Sequence, residues 1–225
     1  FQARPTERIS IDGNISYQMR GKLPLRSREN SWIPVSGSDG GHEWVGRVPF
    51  EENPRLRNPS NGFIVTANNR IIGPPYPHYI TIDFSQDYRA NRILRHLESL
   101  KEATTADMSL IHADCISIPA QKFVPHLLRL RPENDLSSQA LKILEQWDYS
   151  MRRDHSAPTI YSTILVLLLN HLSVSLVGDK LTKEATEGAN RGAPSYLRNL
   201  KSIVIRALEN NDVALLSDGE TWLSV

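Results

Sequence analysis

The reading of this chain turns on Asn61-Gly62-Phe63-Ile64-Val65-Thr66-Ala67-Asn68-Asn69-Arg70. Asn-Gly is a tight-turn signal, and the apolar run after it predicts a strand from Phe63 to Asn68. Side chains alternate across a strand, so Phe63, Val65 and Ala67 share one face and Ile64, Thr66 and Asn68 the other. Thr66 and Asn68 then emerge together at the end of an apolar strand, just before the chain leaves through Asn69 and Arg70. Taken alone, the window favours a strand end with turn-forming asparagines over an amide donor aimed at a reacting oxygen.

Outward from this stretch the chain has two textures. Residues 1–84 read as strands and loops. Ile9-Ser10-Ile11 and Ile15-Ser16-Tyr17 flank Asp12-Gly13 as a hairpin, a Gly-, Ser- and Pro-rich stretch runs from Leu23 to Glu43, and Tyr79 to Ile82 is a further short strand. Residues 85–225 read as helices. Ile93, Leu94, Leu97 and Leu100 recur at helical spacing after a start near Ser85 or Gln86. Thr104 or Thr105 caps a helix from about Ala106 to Ala113, and Pro119 suits the first turn of the next. Ser137 to Trp147 is amphipathic. Tyr161 to Leu176 is apolar on most sides and predicts a buried helix. Gly188 to Ala193 reads as a loop before a last helix, Tyr196 to Leu208. A strand-rich start with segregated helices argues for an α+β fold.

Composition narrows the function classes. Of 225 residues, 26 are Lys or Arg and 25 are Asp or Glu, a net charge of +1 that gives no support to a nucleic-acid or membrane-surface role. The longest apolar run, Ile164 to Leu169, is far shorter than the roughly 20 residues a bilayer requires. The one cysteine, Cys115, excludes an intrachain disulfide framework and a cysteine-based zinc cage; it reads as a small buried residue. His112 and Asp114 have a ligand-like spacing but no third ligand nearby, and no H-E-x-x-H occurs. Ser162 has no paired base for a triad. Trp32, Trp44, Trp147 and Trp222 are isolated and read as core or loop anchors rather than a stacking platform.

Several short motifs, in order, carry a resemblance. Trp44-x-Gly46-x-x-Pro49-Phe50, Asn58-Pro59-x-x-Gly62-Phe63 and Ala67-Asn68-Asn69 resemble the penicillin acylase family of N-terminal serine amidohydrolases, which includes acyl-homoserine lactone acylases. Gly13 to Gln18, Gly21-x-Leu23-Pro24-x-Arg26, Tyr88 to Ile93, Asp107-Met108, Asp114-x-x-Ser117-x-x-Ala120 and Trp147-Asp148 continue the match, although Ser16 stands where the family usually has glycine. Coverage is good from about residue 5 to 160 and thin beyond.

The resemblance implies part of the αββα sandwich of N-terminal nucleophile hydrolases and the hydrolysis of a linear amide in a small N-acyl compound. In that family the mature β subunit begins with a serine exposed by self-cleavage, whose own α-amine is the base. Asn68 matches the asparagine that donates to the oxyanion, and Arg92, 24 residues on, matches the arginine that orients it. The alternative is a scaffold homologue that has lost the chemistry. No Gly-Ser-Asn cleavage site or other nucleophile segment is recognisable, and the chain opens at Phe1 without a methionine or signal core and stops on an apolar stretch. Truncation at both ends is therefore expected, with the N-terminal part or α subunit of the same precursor as an obligate partner and the fragment alone inactive. No cofactor is expected. Some members hold structural calcium through an acid about a dozen residues after the asparagine, but Tyr76 to Thr81 contains none before Asp83, so a ligand from this segment is doubtful. No nucleic-acid or membrane partner is expected, and family habit points to a periplasmic or secreted protein. His78, after a Tyr-Pro turn near the presumed site, reads as a loop histidine rather than a substrate contact.

Overall fold

The computed structural model describes residues 4–31, 33–187 and 193–225, which divide into two compact units, residues 1–111 and 112–225. Trp32 and most of the expected loop Gly188 to Ala193 lie outside the described residues.

In the first unit the hairpin forms where Asp12-Gly13 places it. β1 (Arg4–Ile9) and β2 (Ile15–Arg20) pair antiparallel with Ile9 opposite Ile15, and Gly13 takes φ +77°, a conformation open to a residue without Cβ. Short strands β3 (Pro24–Leu25) and β4 (Gly46–Arg47) pair with each other, and β5 (Arg55–Arg57) joins β2 to give the order β1-β2-β5. The Asn58-Pro59 motif closes this sheet. Asn58, at φ +44°, accepts from Ile15 N at 3.0 Å through Oδ1 and donates to Asn14 Oδ1 at 2.7 Å. Tyr17, Met19, Leu23 and Val48 form a small core beneath, with Ile64, Ile71 and Ile80 packed against it. Buried Asn53 donates from Nδ2 to Met19 O and Gly21 O, both at 3.3 Å, and so ties the segment before β5 to the end of β2.

The strands expected at Phe63–Asn68 and Tyr79–Ile82 do not form. Alternation supplies the right faces, but a strand also needs a ladder partner, and among the described residues both segments run without one. Asn68 instead takes φ +61° and the chain bends over residues 67–69. Helices follow: α1 (Tyr88–Ser99) and α2 (Thr105–Ala113). Thr104 caps α2 reciprocally. Its Oγ1 accepts from Asp107 N at 3.2 Å, while Asp107 Oδ2 accepts from Thr104 N at 2.8 Å. Thr104 Oγ1, at 2.6 Å, and Thr104 N both donate to Asp107 Oδ2 and hold its carboxyl below its ordinary pKa.

The second unit is helical: α3 (Ile118–Leu127), α4 (Asp135–Glu145), α5 (Ala157–Glu187) and α6 (Ala193–Asn210). Ser117 caps α3 by accepting from Ala120 N at 3.2 Å, and Pro119 sits in the first turn as expected. The helix predicted from Ser137 starts two residues earlier because Asn134 makes a capping box with Ser137. Phe123, Leu144, Trp147, Tyr161, Leu165, Leu172 and Val204 form the core. Fully burying a side chain such as Leu144 or Leu172 contributes about 1.5–3 kcal/mol.

Two expectations need correction here. Cys115 is exposed, not buried: it ends the turn into the Ile116–Ser150 bridge, where its carbonyl accepts from Met151 N at 3.0 Å and its side chain is left at the surface. The segment expected to be a buried helix, Tyr161 to Leu176, buries the stripe of Tyr161, Leu165, Leu169 and Leu172 together with Ser173, while Val166 and Leu167 stay exposed. The stretch Ala157–Thr186 is long and apolar enough by composition to cross a membrane. It is not one continuous rod. Gly178 takes φ +83° and ψ 160°, and the buried hydroxyls of Ser173 and Thr182 meet at 3.0 Å across it. In an unbroken helix, nine residues span about 13.5 Å along the axis. The chain therefore folds back at Gly178 as a helical hairpin.

That dihedral pair is essentially reserved for glycine. Space is open around a Cβ at this position, so the penalty of Gly178→Ala falls on the backbone alone. We expect the variant to lose about 1–3 kcal/mol of stability, read as a lower urea midpoint with an unchanged slope. An unchanged midpoint would contradict the hairpin.

Candidate functional site

The first unit contains a cleft of about 680 Å³, within the roughly 300–1,000 Å³ usual for small-molecule sites. Tyr17, Met19, Leu23, Ile71, Ile80 and Phe84 give it apolar walls, and Trp44, 56% exposed, also lines it. Its polar groups come from Arg26, Thr66, Asn68, Asn69, Thr81, Asp83 and Arg89. Apolar walls facing convergent polar groups suit a small ligand that has both an apolar part and polar functions.

Asn68 is held there at several points. Its left-handed backbone is one that asparagine, unlike most side chains, adopts readily. Ser85 N donates to its carbonyl at 2.8 Å, and Asn69 Oδ1 accepts from Ala67 N at 3.0 Å, closing the bend from both sides. The side chain is fixed by an arginine: Arg89 Nη2 donates to Asn68 Oδ1 at 2.9 Å and to Ala67 O at 2.7 Å. A guanidinium only donates, so the amide atom facing it is the oxygen. The Nδ2 donors are thereby turned away from Arg89, and among the described residues they have no hydrogen-bond partner. The result is an oriented, uncommitted donor at the cleft.

The bond that the sequence assigned to Arg92 is thus made by Arg89. Both lie at the head of α1, which begins at Tyr88. Three residues along a helix displace a side chain by about 4.5 Å along the axis and 60° around it. The Tyr88-Arg89-Ala90-Asn91-Arg92 motif offered two arginines, and only the helix start distinguishes them. Arg89 was the residue that the resemblance, which pointed to Arg92, passed over.

Other candidates fall elsewhere. His78 Nε2 lies 2.5 Å from Glu52 Oε2, with Tyr76 edge-on at 5.6 Å, and does not line the cleft. The Tyr76 hydroxyl is buried without a partner, and burial, aided by the Glu52 carboxylate, raises its pKa. His112 is exposed on α2, and among the described residues no three His, Cys, Asp or Glu side chains converge as a metal site.

Comparison with known proteins gives this geometry a family. Residues 9–221 match the penicillin amidase family, and the chain belongs to it. The penicillin acylase 2 proenzyme of Pseudomonas sp. (strain SE83) is 36% identical over 153 residues, covering 68% of this chain and 20% of that protein. Penicillin G acylase of Escherichia coli is 42% identical over 60 residues, 26% of this chain and 7% of its own length. An acyl-homoserine lactone acylase, QuiP of Pseudomonas aeruginosa, is 28% identical over 119 residues, 52% of this chain and 14% of its own. The chain thus spans a fifth or less of these relatives. Among solved structures, the thermostable penicillin G acylase from Alcaligenes faecalis matches 82% of the chain and 35% of its own with a TM-score of 0.63 at 22% identity, which establishes the shared α+β fold.

Proposed function

We propose that the complete protein hydrolyses the linear amide of a small N-acyl compound, with an N-terminal serine as nucleophile and Asn68 as an oxyanion donor. The observation that carries this reading is the Arg89–Asn68 pair. The guanidinium fixes Asn68 Oδ1 and leaves Nδ2, among the described residues, as an unpaired donor on a residue that lines the cleft, available before any substrate arrives. Attack on an amide carbonyl builds negative charge on its oxygen, and a donor already in place stabilises that charge without reorganisation. The apolar walls suit an acyl group.

The serine is supplied by a part of the acylase that these 225 residues do not cover, with its own α-amine accepting the hydroxyl proton. The precursor's N-terminal part or α subunit completes the site. Penicillin acylases and acyl-homoserine lactone acylases among the relatives support amide cleavage as the reaction class.

Expression of the complete gene product tests this. We expect release of amine from N-phenylacetyl or N-octanoyl amides, and a processed subunit whose N-terminal residue, read by Edman degradation, is serine. A folded product with neither property would instead be a scaffold homologue that keeps the family fold.

A further inference from the structure

We propose that the His78–Glu52 pair positions one wall of the cleft: it fastens the chain that carries Ile80 and Thr81 and so sets how tightly the acyl group is held. The inference rests on the amide-hydrolase reading and deepens it. His78 does not line the cleft, but Ile80 and Thr81 do. His78 Nε2 lies 2.5 Å from Glu52 Oε2, with the histidine side chain 20% and the glutamate side chain 52% exposed. A carboxylate only accepts hydrogen bonds, so His78 Nε2 carries the hydrogen between them.

The two partners differ in how firmly the chain holds them. Glu52 ends the short 3-10 turn Phe50–Glu52, where Glu52 N donates to Pro49 O at 3.0 Å and Asn53 N donates to Phe50 O at 3.1 Å. The next residue is the buried Asn53, bound to Met19 O and Gly21 O. Glu52 is therefore the anchor. His78 belongs to a stretch, residues 71–84, that is neither helix nor strand. Pro74 and Pro75 stiffen its start, and Tyr76 N donates to Gly73 O at 3.1 Å to close the turn over them. The Tyr76 ring meets the imidazole edge-on at 5.6 Å and blocks it from swinging to that side.

Beyond His78 the chain is held a second time. Arg26 Nη2 donates to Ile80 O at 2.9 Å, and the guanidinium lies 5.7 Å from the Tyr79 ring centroid. Two residues of extended chain span at most about 7 Å, so a displacement at His78 passes to Ile80 with little slack. The imidazole thus acts on the cleft through the backbone, without touching substrate.

The test compares the complete wild-type protein with His78→Ala, Glu52→Ala and His78→Gln. Glutamine places an amide N–H close to the position of imidazole Nε2, so it keeps the hydrogen bond and should behave like wild type. Limited digestion with chymotrypsin reads the fastening without any substrate. Cleavage after Tyr79 should be about 3- to 10-fold faster in both alanine variants, the effect of losing one hydrogen bond on a local opening. With N-phenylacetyl and N-octanoyl amides, KM should rise by a similar factor while kcat changes by less than about twofold. The double alanine variant should be no worse than either single one, because both remove the same contact.

Unchanged cleavage in a folded His78→Ala protein overturns the proposal, as does faster cleavage with an unchanged KM. A loss confined to kcat, or a His78→Gln variant as impaired as His78→Ala, overturns it as well. If His78→Ala fails to fold, Glu52→Ala carries the same readouts from an exposed side chain. Should wild type hydrolyse none of the amides, the amide-hydrolase reading fails instead, and the cleavage rates then decide by themselves whether this pair fastens the wall.

Discussion

Replacing Asn68 by glycine in the complete protein is expected to lower kcat by about a hundred- to a thousandfold, the loss seen when one preorganised oxyanion donor is removed, about 2.7–4 kcal/mol. Glycine is the informative substitution because Asn68 sits at φ +61°. Alanine removes the same amide but adds about 1–2 kcal/mol of left-handed backbone strain, mixing a folding defect with a catalytic one. Asn68→Asp keeps the shape and backbone tolerance but replaces two donors by a charged acceptor beside a developing oxyanion, so it should be the least active of the three. The loss should appear equally in kcat and kcat/KM, the signature of an interaction made only in the transition state. Near-normal turnover by a folded, correctly processed Asn68→Gly protein would remove Asn68 from the mechanism.

Arg89→Met is expected to lower kcat by about 10- to 100-fold through misorientation of the Asn68 amide. The variant loses both the 2.9 Å bond to Asn68 Oδ1 and the 2.7 Å bond to Ala67 O. Without a donor-only partner the amide is free to flip and present its oxygen to the substrate. Arg89→Lys retains the charge and three rotatable donors but not the fixed guanidinium plane that aims Nη2 at both acceptors, and should fall between wild type and Met. Arg92→Met should cost less than Arg89→Met. The reverse order would return the orienting role to Arg92. A merely structural role for Arg89 predicts lower stability with an unchanged kcat in the fraction that remains folded, and a kinetic assay beside a urea titration separates the two.

Much of this arrangement is legible in the sequence where the cause is local. Asp12-Gly13 marks the hairpin, Thr104 and Pro119 mark helix starts, and the spacing of Ile93, Leu94 and Leu97 marks a helix, because each depends on neighbours a few residues away. The asparagine at the cleft was legible through motif order, since Asn58-Pro59 and Ala67-Asn68-Asn69 stand at a fixed distance. What failed was non-local. Phe63 to Asn68 has the pattern of a strand but no ladder partner among the described residues, and alternation carries no information about partners. The choice between Arg89 and Arg92 depends on the phase of α1, which one or two residues at its start decide. Gly178 was invisible for a different reason: an isolated glycine in an apolar run reads as a tolerated defect, whereas here it reverses the chain.

The left-handed backbone at position 68 also bears on how this protein can diverge. Torsion alone favours Asn, Asp and Gly there. A descendant lineage released from hydrolysis is then free to drift among those three without disturbing its architecture, whereas the proposed oxyanion role holds one that turns over amides to the first. Which of them occupies this site across descendants is therefore a gauge of retained enzymatic selection, readable from genomes before any protein is purified.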